Sequence, residues 1–247
     1  MLFALLGAAA ILIGWQLLSL FVNPAIMASP WDTAKALGAL LGEGSFWIAI
    51  LITLKRLVIG LAIGAVLGLV FGVVAGLKLR PRSFFEPPRW VGMTIPAVIV
   101  ALLAMLWFGL GDVTVIFIVA FIVVPGVYVN TMEGVRTVDR RLVEMGEVYR
   151  LPRRLLLTEV YLPGIASPVA AGLTVAAGIA VRAVVLGEVL AAMDGIGYAF
   201  SRAMSYLETP TLFAWIVVLL ALMAVLEFGV LRPFKRRTTR WRKGADA

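Results

Sequence analysis

A chain of 247 residues that is 62% hydrophobic, with a mean hydropathy of +1.02, stands well above the ~45–50% apolar content of soluble domains and reads as a polytopic membrane protein. It contains no cysteine and no histidine, which excludes disulfides, thiol chemistry, most transition-metal sites and a histidine general base. Its net charge of +8 falls beside apolar runs, so anionic membrane lipid and topology account for it, and no nucleic-acid partner is implied.

Residues 1–30 carry no charge, and residues 2–22 are long enough to cross a ~30 Å hydrocarbon core. Without the basic start and small-residue cleavage site of a signal peptide, this stretch is expected to be retained as a first span. A loop through Asn23-Pro24 and Ser29-Pro30 follows, and residues 33–41 fit an interfacial helix. Residues 46–77 keep a helical pattern for too long to form one perpendicular span. Lys55 and Arg56 are therefore expected to snorkel at the outer interface, leaving 57–77 as the second span.

Gly60, Gly64, Gly68, Gly72 and Gly76 occupy every fourth position of that span, a ladder that lets another helix backbone approach closely. Each step turns the row by about 40°, so it winds around the helix and is able to serve more than one neighbour. Residues 78–90, basic and proline-rich, are expected as a short loop. A third span covers 92–108 with Pro96 near its start. Gly109-Leu110-Gly111-Asp112 forms a tight turn, and a fourth span, 113–131, holds Pro125-Gly126, which predicts a kink.

Residues 139–163 are the longest charged, non-spanning stretch. Leu142, Met145 and Tyr149 fall at i, i+3 and i+7 on one apolar face, with Arg140, Arg141, Glu144 and Glu147 mostly off it. Leu151-Pro152 interrupts this helix, and a second short helix is expected from about 152 to 159, stopped by Pro163-Gly164. A fifth span, 168–190, contains Arg182 and Glu188, about 120° apart around the helix and so not an internal pair. Arg182 faces either an aqueous path or a partner at the interface; for Glu188 the physical reading is helix packing or capping. A sixth span, 211–231, leads into a basic tail, 232–247.

Basic residues cluster after the second span (Lys78, Arg80, Arg82, Arg89), after the fourth (Arg136, Arg140, Arg141, Arg150, Arg153, Arg154) and in the tail. The positive-inside rule places all three in the cytoplasm, and with six spans the amino terminus as well. The 139–163 segment thus faces the cytoplasm on charge alone.

That segment resembles the signature of permease subunits of binding-protein-dependent ABC importers: Glu-Ala-Ala, three residues, Gly, nine residues, a hydrophobic residue, any residue, Leu-Pro. Glu144, Met145 and Gly146 stand at the first three positions and Val160-Tyr161-Leu162-Pro163 at the last four. Arg150 occupies the glycine position. A left-handed turn there costs a non-glycine residue about 1–2 kcal/mol, so the break is expected to move to Leu151-Pro152. Thr53-Leu54-Lys55-Arg56, Ile95-Pro96, Leu106-Trp107-Phe108-Gly109-Leu110-Gly111, Asn130-Thr131, Gly134-Val135-Arg136, Asp139, Gly187-Glu188 and Gly195-Ile196-Gly197-Tyr198 extend the likeness to the nitrate, taurine and aliphatic-sulfonate group. Leu102 and Val181 depart from it.

The resemblance implies an all-α, type I (MetI-like) permease fold in the bacterial inner membrane. It also implies two ATP-binding subunits carrying ATP and Mg, a second permease that is either identical or a paralogue, and an extracytoplasmic substrate-binding protein. No cofactor is expected on this chain, and no GxxxxGK[ST] motif is present, so hydrolysis belongs to a partner. Leu142, Glu144, Met145, Gly146, Glu147, Tyr149, Arg150, Leu162 and Pro163 would form the ATPase-coupling site, unless the apolar ones pack on the permease's own helix ends. Arg182 and Glu188 are path candidates, with a small anion or sulfonate-like solute as cargo. A secondary transporter or channel would also explain the spans, but it needs no coupling segment and no inverted repeat is visible. An intramembrane enzyme lacks its nucleophile and base.

Overall fold

Apolar segments that must satisfy their backbone groups without water fold as helices. In the computed structural model, which describes residues 2–231, without the side chains of residues 2–5, 8, 147, 153, 230 and 231, every regular element is helical. The basic tail lies outside the described residues. In chain order the elements are α1 (Leu2–Phe21), α2 (Pro30–Leu41), α3 (Gly44–Leu77), α4 (Leu79–Thr94), α5 (Ala97–Phe108), α6 (Asp112–Arg136) and α7 (Arg140–Val148). They continue with α8 (Arg153–Leu155), a π-helical stretch (Leu156–Tyr161), α9 (Leu162–Ala191), α10 (Ile196–Ser205), α11 (Thr209–Val225) and a second π-helical stretch (Leu226–Leu231).

Among the described residues, four helical segments are long and apolar enough to cross a membrane: Gly44–Leu77, Asp112–Arg136, Leu156–Ala191 and Thr209–Gly229. The pair α4–α5, bent by 103°, makes a fifth when the two helices are counted as one span. Helix α1 is 20 residues long and is tied down near its end, where the Trp15 indole donates to the Ala28 carbonyl at 2.9 Å and its ring stacks on Phe213.

Helix α6 is the centre of the bundle. Its Val115, Ile118, Val119, Val123 and Val127 are buried between Leu57 of α3 and Ala176, Ala180, Val181 and Val184 of α9. All five ladder glycines of α3 face this one neighbour. A Cβ at Gly60, Gly64, Gly68, Gly72 or Gly76 would lie 2.5–2.8 Å from the Cβ of Val119, Val123, Val127, Thr131 or Val135, respectively. The partner row also repeats every fourth residue and drifts by the same ~40° per step, so one neighbour follows the whole winding stripe. The rising numbers on both sides make α3 and α6 parallel. On the other flank α9 runs antiparallel to α6, with Gly134 against Pro168, Gly172 against Asn130 and Gly187 against Val115 and Ile118.

Two expectations of the sequence give way here. Residues 79–94 are helical, not a loop, and Pro87 and Pro88 lie inside that helix. Exposed carbonyls at a membrane surface tolerate the lost N–H donors, and packing holds the turn: Phe85 sits 5.0 Å from Phe71 and 6.1 Å from Tyr128 between ring centroids. The stretch expected as a third span, 92–108, is interrupted, with a 103° bend between α4 and α5. Ile95 precedes a proline and is driven to extended geometry (ψ 127), and Pro96 follows in kind (ψ 136). By contrast α6 runs unbroken through Pro125, whose ring fills the space over Gly92.

Candidate coupling segment and buried ionic cluster

Asp139 opens the charged segment as a helix cap: its carboxylate accepts from the Arg141 amide at 2.9 Å and its carbonyl from the Leu142 amide at 3.1 Å. The α7 helix that follows carries its apolar residues outward. Leu142 is 46% exposed, Met145 51% and Tyr149 73%, so each keeps apolar surface open, and Glu144 is exposed beside them. The anchoring residue is Gly146, buried beneath the Leu156 side chain, whose Cδ2 would lie 2.7 Å from an added Cβ.

The break after α7 occurs at Arg150, with φ 53, and not at Leu151-Pro152. The left-handed residue lets the Leu151 amide reach back to the Gly146 carbonyl at 2.9 Å, the hydrogen bond of a Schellman-type helix end. Leu151 must be extended because proline follows it, so the left-handed turn falls one residue earlier, at the family glycine position, despite its cost.

Nor does Pro163-Gly164 stop the second helix. From Arg153 the chain is helical without interruption to Ala191. The π-helical turns at Leu156–Tyr161 widen the ladder, with the Leu162 amide bonding the Leu157 carbonyl five residues back. That loosened register accepts a proline whose ring would clash in a tight α turn. Leu162 and Pro163 are exposed, and Gly164 rests on Val138, two residues past the end of α6, 3.0 Å from an added Cβ.

At the opposite end of α3 and α9 the structure assembles residues that the sequence shows only as scattered pieces. Arg56 does not snorkel: it is 1% exposed, and Glu188 and Thr53 are 0%. The Arg56 guanidinium donates through Nε to Asp112 at 2.7 Å, and through Nη1 to Glu188 and to the Asp194 carbonyl at 2.9 Å each. Its Nη2 pairs with the carboxylates of Asp112 and Asp194. The Thr53 hydroxyl donates to Glu188 at 2.8–2.9 Å and accepts from the Ile196 amide at 2.9 Å. The Gly197 amide donates to the other Glu188 oxygen at 2.9 Å. Lys55, exposed, closes the network on Asp112 at 2.7 Å.

Only glycine fits the loop that seals this cluster. Gly195 has φ +94, and a Cβ there would lie 2.3 Å from Glu188 Oε1; one at Gly197 would meet Glu188 Cβ at 2.6 Å. A planar guanidinium using every edge, against carboxylates whose oxygens are also bonded, meets the condition under which a buried ion pair is tolerated. The network fastens α3, the start of α6, the end of α9 and the start of α10 together. Glu188 is thus enclosed, whereas Arg182, on the same helix, is exposed in line with Val175 and Ile179. Sequence reasoning missed Arg56 as the shared partner of Glu188, Asp112 and Asp194. Their signal was opposite charge at the same ends of neighbouring apolar runs.

Residues 64–239 match the family model described as binding-protein-dependent transport system inner membrane component. The chain is 32% identical to the putative aliphatic sulfonates transport permease protein SsuC of Escherichia coli, over 92% of this chain and 87% of that protein. It is 28% identical to the Bacillus subtilis protein of the same name, over 98% of this chain and 88% of that protein. With the E. coli taurine transport system permease protein TauC it shares 25% identity over 96% of this chain and 88% of that one. Among solved structures, a chain of the MetNI methionine ABC transporter in inward-facing form is similar in fold, with a TM-score of 0.68 and 16% identity, covering 81% of this chain and 100% of that chain.

Proposed function

The chain belongs to the family of binding-protein-dependent transport system inner membrane components, and from that premise we propose how this ABC importer permease subunit is oriented and driven. The basic residues after α3 and α6 face the cytoplasm, both termini lie there, and six segments cross the membrane with α1 as the first and the α4–α5 pair as the third. Helix α7 docks on a cytoplasmic ATPase that holds ATP and Mg. Leu142, Met145 and Tyr149 supply the apolar contact, and Glu144 and Glu147 meet basic groups or a helix N-terminus. Two ATPases, a second permease, identical or paralogous, and an extracytoplasmic binding protein complete the importer.

The observation that carries this reading is the combination of an outward apolar face on α7 with rigid attachment beneath it. Gly146 locks α7 onto Leu156, and from 153 to 191 one helical rod, roughly 55 Å long, continues across the membrane. A push on α7 enters that rod at its base and reaches Glu188 in the ionic cluster at its far end. The α9 helix is accordingly the lever between ATP-driven closure and the outer face, and Gly164 on Val138 passes part of the motion to α6.

Cargo follows from the named relatives, which are sulfonate and taurine permeases. A small sulfonate-like anion suits the exposed Arg182 on the spanning helix. Because the chain has no cysteine, a single cysteine at Met145 tests the docking: it should cross-link to the ATPase in the assembled importer in a nucleotide-dependent way. Cross-linking only to lipid-facing reagents, with no ATPase captured, would remove the coupling role.

A further inference from the structure

Beside the bundle core lies a cavity of about 630 Å³ between α3, α4, α5 and α6, which neither the coupling segment nor the ionic cluster uses. Ile63, Leu67, Phe117 and Phe121 line its middle, and from Ile59 to Phe71 it follows α3 for about 18 Å. That is more than half of a ~30 Å hydrocarbon core. Its walls are apolar except at one end.

At that end Arg89 of α4 and Tyr128 of α6 both line the cavity, brought together by Phe85 on Tyr128 and by Pro125 over Gly92. Arg89 Nε and the Tyr128 hydroxyl are buried without a hydrogen-bond partner, and Tyr128 is only 3% exposed. Arg89 also pairs with Glu86 through Nη2 and contacts Met93 Sδ through Nη1 at 3.7 Å, so Nε is the guanidinium nitrogen left without a partner. Arg82, Phe85, Arg89 and Gly92 form the half-buried face of α4, so a second guanidinium stands on the same face.

Two orphaned donors at the membrane-surface end of an apolar slot call for an acceptor at that level joined to a hydrocarbon tail. We propose that this groove binds one anionic phospholipid, its phosphate on Arg89 Nε and the Tyr128 hydroxyl and an acyl chain along Ile63, Leu67, Phe117 and Phe121. A neutral zwitterionic lipid offers the same tail but less net attraction to the two arginines, so the site discriminates by headgroup.

The assembled importer, washed free of lipid in a neutral maltoside detergent, is incubated with phosphatidylglycerol or phosphatidylcholine, and retained lipid is counted by mass spectrometry. Phosphatidylglycerol is expected to be retained and phosphatidylcholine washed out. R89Q should reduce phosphatidylglycerol retention about tenfold, R89K should restore most of it, and Y128F should lower it by a smaller factor. Should R89Q fail to fold, the Y128F result decides. Equal retention of both lipids with no effect of R89Q or Y128F would mean ordinary surrounding lipid and would overturn the proposal. So would a disulfide between two copies through a single cysteine placed at Phe121, because a second chain would then cover the groove.

Discussion

Replacing Gly68 by alanine adds one methyl group at the midpoint of the α3–α6 seam. That carbon would lie 2.7 Å from Val127 Cβ and 3.0 Å from the Val124 carbonyl oxygen, about 1 Å inside ordinary contact, and neither neighbour is a flexible side-chain tip. Overpacking of this kind costs about 1–3 kcal/mol. Alanine itself favours a helix over glycine by about 0.5–1 kcal/mol, so the net loss is about 0–2.5 kcal/mol. Gly126 of α6, with nothing within 4 Å of its added Cβ, supplies the control. There only the helix gain applies, and G126A should be neutral or stabilised.

The two variants should therefore differ by about 1–3 kcal/mol in unfolding titrations of the detergent-purified protein with dodecyl sulfate. Equal stability of G68A and G126A would refute a seam set by backbone approach.

Removing one partner of the buried cluster should be severe: R56M leaves Glu188 uncompensated at 0% exposure and is expected to cost about 3–5 kcal/mol, with R56M/E188M recovering much of it, as thermal unfolding would report. R150G relieves the left-handed arginine (φ 53) and should raise thermal stability by up to about 1–2 kcal/mol without loss of ATPase assembly; a fall in stability would mean that the arginine side chain holds the turn. R182Q should raise the half-saturating concentration for sulfonate uptake by reconstituted importer about tenfold, the worth of one charge-assisted hydrogen bond. An unchanged value would detach Arg182 from the path.

Hydropathy made the long helices legible, because a lipid-facing segment is apolar for its whole length. The glycine row on α3 and the outward face of α7 were legible as periodicities, since each depends on residues close in sequence. What the residues did not disclose depends on distant partners. Pro87 and Pro88 argue locally for a loop, yet the Phe71, Phe85 and Tyr128 contacts keep α4 helical. Pro163 argues for a helix end, yet a π-helical register carries the chain past it. Lys55 and Arg56 look alike in sequence, but one is exposed and the other buried, because only Arg56 meets Glu188, 132 residues away, and Asp194, 138 away. The family glycine position illustrates the opposite failure: the cost of a left-handed arginine is real, but the following proline fixes where the turn must fall.

The central claim is that α7 receives the ATPase and that α9 carries its motion across the membrane. It is tested most directly by ATP hydrolysis of the reconstituted importer with and without its substrate-loaded binding protein, comparing the native chain with E144R and with M145S after equal insertion has been verified. The account predicts that both substitutions weaken ATPase assembly or abolish stimulation by the binding protein while the helical bundle unfolds as before. Unchanged assembly and unchanged stimulation in both variants would contradict it.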